Sequence, residues 1–280
     1  FTNSTTYIKV SDHSVSKEPF DLLFNEEYQL LKTSPQPSLD RLPSYYESED
    51  YISHTDSKRT LFEKAYHFVK KNALKNKVNL ISTLIPKKGI VLDIGSGTGD
   101  FLMTAKNKGW NIKGLEPNSK AKQIAISKGV VFEDALENIA DNSIDVITMW
   151  HVLEHVPNLE EQFSQLKRIV KPNGYIVIAV PNYKSFDAKY YKSFWAAYDV
   201  PRHLWHFSKT AIQKLSSDFD LQLEKVQPMW FDSFYVSLLS EKYKTGKMNF
   251  VKGFLIGFTS NMVGMFKKEF SSHIYIIKNK

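Results

Sequence analysis

Gly89-Ile90-Val91-Leu92-Asp93-Ile94-Gly95-Ser96-Gly97-Thr98-Gly99 is the stretch whose reading decides the fold. Its apolar start is what a strand buried on both faces of a parallel sheet looks like. Glycines then recur at alternate positions, where the chain must turn tightly and let a ligand approach its backbone. A helix is predicted directly afterwards, over Thr98–Lys108, offering free N–H groups and the positive end of its dipole. Outward from this loop, strand and helix patterns alternate. Strands are predicted at Trp110–Glu116, Val130–Glu133, Ile144–Trp150, Tyr175–Val180, Leu221–Trp230 and His273–Lys278. Helices are predicted at Ser119–Lys128, Leu159–Val170 and Ser208–Ser217. That order implies βαβ units and an α/β fold with a doubly wound sheet of seven strands.

A glycine loop alone is weak evidence of function, and the acids around it sharpen the reading. Glu116 falls at the end of the next predicted strand, 17 residues past Gly99, where a carboxylate can bind ribose hydroxyls. Dinucleotide enzymes space their third glycine one residue further and seat a pyrophosphate on the helix. Here Asp93 precedes the first glycine. A carboxylate facing the loop repels a diphosphate and suits a cationic amino group. A nicotinamide-type oxidoreductase is therefore the rival reading, with Asp93 against it. A binding protein that keeps the fold without turnover is the other.

With these residues in view, the chain resembles the class I S-adenosylmethionine-dependent methyltransferases over roughly 89–180. The resemblance rests on the loop above, on Gly114-Leu115-Glu116-Pro117 and on Trp150-His151-Val152-Leu153-Glu154-His155-Val156. It implies a Rossmann-like sheet and S-adenosylmethionine as cofactor. Asp93, Gly95, Gly97 and Gly99 would hold the methionine part, with Ser96, Thr98, Phe101 and Pro117 beside them. Glu116 would take both ribose hydroxyls. Asp134 would reach the adenine amino group and Ala135 would offer a backbone N–H. Trp150 and His151 would line the cofactor near its sulfur. Asp134 reads equally well as a cap for a helix over Ala135–Ile139.

The flanks also resemble a bacterial subfamily of this class, through Tyr45-Tyr46-Glu47-Ser48, Tyr51-Ile52-Ser53-His54 and Asp199-Val200-Pro201-Arg202-His203-Leu204-Trp205-His206-Phe207-Ser208. The likeness implies that Tyr51 and His54 help close the cofactor pocket. Relatives often carry cysteine pairs ahead of this segment, consistent with a small zinc ribbon. This chain has no cysteine, so such a module would be metal-free or degenerate. Residues 1–57 read as an N-terminal extension with short strands at Thr6–Val10 and Tyr28–Leu31, broken by Pro35, Pro37 and Pro43. Residues 58–280 read as the methyltransferase domain, opening on a helix over Lys58–Ile85. It carries aromatic-rich insertions at 182–207 and 231–272, the first expected to cap the acceptor site because ligands bind beyond strand C-termini.

Methyl transfer to oxygen or carbon needs an aligned acceptor and a base, and histidine titrates in the useful range. His151, His203 and His206 are the catalytic candidates. Tyr198, Arg202 and His203 are the candidates for holding a small or medium-sized acceptor. Each has a plainer reading: Arg202 as an ion pair with Asp199, and His206 as a brace for a helix capped by Ser208. His155 is read as packing beneath the turn. His151 and His155 share a helical face, yet no third ligand is evident, so no metal is expected.

Composition bounds the remainder. The 280 residues are 42% hydrophobic and 24% charged, with 19 Phe, 14 Tyr and 5 Trp. Lacking cysteine, the chain has no disulfide or thiolate chemistry, and a cytoplasmic protein is expected. It begins at Phe1, so a natural start upstream is expected. The formal charge of +7 comes from scattered lysines, which read as a solvated face rather than a nucleic-acid site. Phe250–Phe266 is too short to cross a bilayer easily. It reads as a packed helix, with peripheral membrane contact as the sharper alternative.

Overall fold

The computed structural model describes residues 4–38, 40–46 and 61–280, with side chains from Lys70 onward in the first long helix. Tyr51 and His54 lie outside the described residues. A six-stranded sheet forms the centre, built from β4 (Ile90–Ile94), β5 (Asn111–Leu115), β6 (Ile144–Trp150), β7 (Val170–Pro181), β9 (Leu221–Pro228) and β10 (Ser272–Asn279). Its order is β5-β4-β6-β7-β10-β9. The first four strands are parallel, and β10 runs antiparallel to both of its neighbours. A seventh strand at Val130–Glu133 does not form. That stretch makes only an isolated parallel bridge, Gly114 to Phe132, at the sheet edge, where there is no further partner to extend it.

Successive side chains of a strand point to opposite faces, and both faces here are apolar. On one side Leu92, Ile147 and Ile176 pack with α4 (Leu159–Ile169) and α6 (Lys209–Asp218). On the other side Val91, Val146 and Val177 pack with α1 (Leu61–Leu84), α2 (Asp100–Lys106) and α3 (Ser119–Ser127). The central chain leaves β4 toward β5 and later returns on the opposite side as β6. The loop after β4 therefore sits at the topological switch point, where such sheets bind ligands.

The N-terminal residues form β1 (Ser4–Ser11), β2 (Pro19–Asn25) and β3 (Leu30–Ser34). The fourth strand of their sheet is β8 (Trp205–His206), from the connection after β7. Behind this sheet lies a second core, in which Phe20, Leu22 and Leu31 meet Tyr191, Trp195 and Tyr198. The aromatic insertion thus joins the N-terminal sheet, α5 (Phe186–Tyr191) filling part of that core. The second long connection folds as a hairpin of two helices, α7 (Asp232–Thr245) and α8 (Phe250–Lys267).

Candidate cofactor and active site

The loop after β4 takes its shape from glycine. Gly95 and Gly99 have φ of +69° and +77°, which L side chains rarely adopt. Both also need the space. A Cβ on Gly95 would stand 2.4 Å from Val152 Cγ2, and one on Gly99 would stand 2.8 Å from Val130 Cγ2. Gly99 then caps α2.

Under this loop lies Asp93, 3% exposed, accepting a hydrogen bond from Thr148 Oγ1 at 2.5 Å. Burial pushes its carboxyl up to about 7, against the Thr148 bond and the charge of Lys77, while Glu116 adds to the rise. A desolvated carboxylate of this kind is stabilised by a cation brought beside it. Glu116 Oε2 accepts from Gly97 N–H at 2.7 Å, and Oε1 from Asn118 N–H at 2.8 Å. Each carboxylate oxygen keeps a second lone pair. Glu116 can therefore brace the loop and receive a diol at once.

Trp150 ends β6, with Phe101 edge-on at 5.7 Å between ring centroids. Lys77 of α1, which sequence reading passed over, stands 4.2 Å above the Trp150 ring. Burial lowers its pKa, while Asp93 and Asp232 oppose the fall. Two polar atoms here, Ser96 Oγ and Trp150 Nε1, are buried without a hydrogen-bond partner. Buried polar groups are normally paired, so these two are what a polar ligand would satisfy.

His151 is backed by strain and charge. Its φ of +58° is unusual for a side-chain-bearing residue. Nδ1 lies 3.3 Å from Glu154 Oε1, and Nε2 lies 3.1 Å from Asp232 Oδ2. Burial alone would lower its pKa, but Asp232 and Glu154 together raise it to about 10. In this geometry His151 is an imidazolium at neutral pH, with neither ring nitrogen left to take a proton from an acceptor. Asp232, the first residue of α7, was not identified from the sequence. It lies some eighty residues along the chain, where no spacing rule reaches.

Asp134 has its side chain 89% exposed, 3.7 Å from Lys122 Nζ. The helix cap expected of it does not form. Ala135 is the N-cap of a single turn, Leu136–Asn138, with no side-chain cap. Ala135 itself is extended, and Pro117 and Thr98 flank the Glu116 carboxylate and the loop.

The acceptor-side candidates are buried in the connection after β7, with His203 reaching the Glu154 side of His151. Arg202 is 3% exposed, with all three guanidinium nitrogens engaged: it donates to both Asp199 oxygens, to Asp12 Oδ1 at 3.0 Å and to Tyr45 O at 2.8 Å. It locks the N-terminal sheet to the 183–207 connection. His206 Nε2 meets Thr33 Oγ1 at 3.0 Å, and burial holds its pKa well below the usual histidine range. Tyr198 is 2% exposed, edge-on to Trp195 and His206. His203 Nδ1 is 2.9 Å from Ala197 O. Glu154, His155 and His203 bring ligand atoms within 4.8 Å of one another, a triad that spacing did not suggest. His155 Nδ1 is already 3.0 Å from Arg202 O, and burial drops its pKa to about 4. Surface clefts beside Tyr28 and α4, and beside the start of β9, lie away from the loop.

A family model described as "Methyltransferase domain" matches residues 65–226, more than half of the chain. A ubiquinone biosynthesis O-methyltransferase of Cupriavidus pinatubonensis is 30% identical over 112 residues, 36% of this chain and 44% of that protein. The match thus spans less than half of that relative. Among solved structures, magnesium protoporphyrin IX methyltransferase of Synechocystis with bound S-adenosylhomocysteine superposes with a TM-score of 0.56 at 14% identity. It covers 87% of this chain and 100% of its own. A SAM-dependent methyltransferase of Thermotoga maritima gives 0.53 at 19% identity, covering 84% and 99%. At those identities the likeness speaks for the fold: a Rossmann-like α/β sheet with helices on both faces. On the matched domain, the chain belongs to the methyltransferase-domain family.

Proposed function

We propose that this chain is an S-adenosylmethionine-dependent methyltransferase acting on a small or medium-sized acceptor at oxygen or carbon. The observation that carries the reading is the buried Asp93 carboxyl beneath a loop whose glycines are conformationally obligatory, with Glu116 2.7 Å from Gly97 N. When bound, the cofactor supplies a methyl group on a positively charged sulfur. The chain's own part is to bind, orient and keep water out. Asp93 receives the amino acid end, and Glu116 the ribose. Asp134 and Ala135 border the adenine. Trp150 Nε1 and Ser96 Oγ are the unpaired donors awaiting partners.

No proton step is assigned to His151 in its doubly paired state. Arg202 and His206 are proposed to hold the cap against the N-terminal strands β1 to β3. The cysteine-free composition supports a cytoplasmic setting. Titration calorimetry with S-adenosylhomocysteine and, separately, NAD tests the reading. Heat from the first alone supports it. Heat from NAD alone, or from neither, refutes it.

A further inference from the structure

Helix α8 is folded inside out for a helix facing water. Its inward face is made of small and polar residues: Gly253, Gly257, Ser260, Asn261 and Gly264 are the buried ones. A Cβ on Gly253 would stand 2.9 Å from Leu238 Cα, and one on Gly257 2.8 Å from Phe234 Cα. The glycines let α8 lie against the backbone of α7. Ser260 Oγ donates to Asp187 Oδ1 at 2.6 Å, and Asn261 Nδ2 donates to Trp230 O at 2.8 Å. The outward face carries the bulk: Phe250, Val251, Phe254, Phe258, Met262 and Phe266 are all exposed, Phe266 at 82%. At 1.5 Å per residue, this stripe runs about 24 Å. Phe231 and Tyr235 of the α7 start extend it. Small residues inside with large apolar residues outside is the arrangement of helices surrounded by lipid. So large a contiguous patch marks an interaction site.

Charge identifies the occupant. Lys244 and Lys247 are exposed at the α7–α8 turn, and Lys267 and Lys268 at the far end of α8. The two acids between Trp230 and Lys268 are both engaged inward, Asp232 on His151 and Glu241 on Lys252 at 3.2 Å. A twofold pairing of two copies along the stripe would stack lysine ends on lysine ends in either direction. An anionic surface accepts both ends at once. No described helix is long and apolar enough to cross a membrane, so α8 lies along it.

We propose that the α7–α8 hairpin docks this protein on an anionic lipid membrane. Because α7 begins at Asp232, against His151, docking sets the candidate active site beside the bilayer. An apolar acceptor drawn from the membrane then follows, a corollary that rests on the methyltransferase reading. Vesicle co-sedimentation tests the docking itself and needs no cofactor, so its failure is separate from failure of the calorimetry above.

The full chain is expected to pellet with phosphatidylcholine vesicles holding about one-third phosphatidylglycerol, to be released by added salt, and to stay free with phosphatidylcholine alone. The double variant Phe258→Glu/Phe266→Glu should lose at least about tenfold in partitioning. Lys244→Glu/Lys267→Glu should lose severalfold. Both pairs are exposed, and unchanged circular dichroism certifies their folds. No pelleting with anionic vesicles, equal binding to neutral ones, variants that bind like the parent, or a sedimenting dimer that Phe258→Glu dissolves would each overturn the proposal.

Discussion

Two buried polar clusters lie on either side of the β6 tip, and they differ in whether they are complete. Around Arg202 every guanidinium nitrogen is engaged: Asp12, Asp199 and the Tyr45 carbonyl answer it. Around the glycine loop the accounts stay open. Asp93 is desolvated with its pKa near 7, Ser96 Oγ and Trp150 Nε1 have no partner, and Lys77 sits over the Trp150 ring. A satisfied buried network holds a fold together, whereas an unsatisfied one is shaped for something that arrives later. The comparison separates residues that the sequence motifs treated alike.

The largest effect expected from this contrast is on stability. Arg202→Ala strands two carboxylates, one of them fully buried, and should cost about 3–5 kcal/mol in urea unfolding. A loss below about 1 kcal/mol would mean that the cluster is not the lock described. Glu116→Gln should do the opposite. Its unfolding free energy should fall by only about 1 kcal/mol, for the one loop N–H that an amide cannot accept, while affinity for S-adenosylhomocysteine falls about 10- to 100-fold, the size of a charged hydrogen-bond loss. Equal affinity would remove the ribose assignment.

At His151 the contrast is read by pH. Its folded pKa is raised from 6.5 to about 10, so the pairing contributes fully below about 6.5 and is lost as pH climbs to about 10. Asp232 and Glu154 are held below their ordinary values, so acid erodes the pairing only at low pH. Asp232→Asn should therefore destabilise most near pH 6 and hardly at all near pH 10. The His151 ring resonance should titrate lower than in the parent. A stability gap that ignores pH would contradict this. The smallest effect belongs to Asp134→Ala. With its side chain 89% exposed, the variant should unfold within about 0.5 kcal/mol of the parent and lose only a few-fold in cofactor affinity.

The central fold was legible because buried parallel strands announce themselves as apolar runs. Ile90–Ile94, Asn111–Leu115 and Ile144–Trp150 fall where the pattern placed them, to within a residue or two. Val130–Glu133 misled because an edge position gives the same residues only one partner. The N-terminal sheet was half seen. β2 opens on Pro19 and was overlooked, and the strand beyond β3, β8, comes from past residue 200, a pairing that no local pattern encodes. In the site, Asp93 and Glu116 were legible from spacing. Lys77 and Asp232 were not, since each enters from a helix whose packing alone decides where its tip goes. Arg202, Tyr198 and His206 were drawn toward the acceptor by their aromatic setting, though the same setting suits a core. The apolar run of α8 was legible, with membrane contact as one of its two readings, but which face its glycines bury is decided by packing against α7.

The central claim is that buried Asp93 makes the crevice select a cationic amino acid end. It is tested most directly by comparing the affinities of S-adenosylhomocysteine and 5′-methylthioadenosine, which keeps the nucleoside and thioether but lacks the amino acid. In the parent the first should bind far more tightly, and in Asp93→Asn that advantage should shrink by about 10- to 100-fold while the second ligand binds as before. An advantage that Asp93→Asn leaves intact would contradict the account.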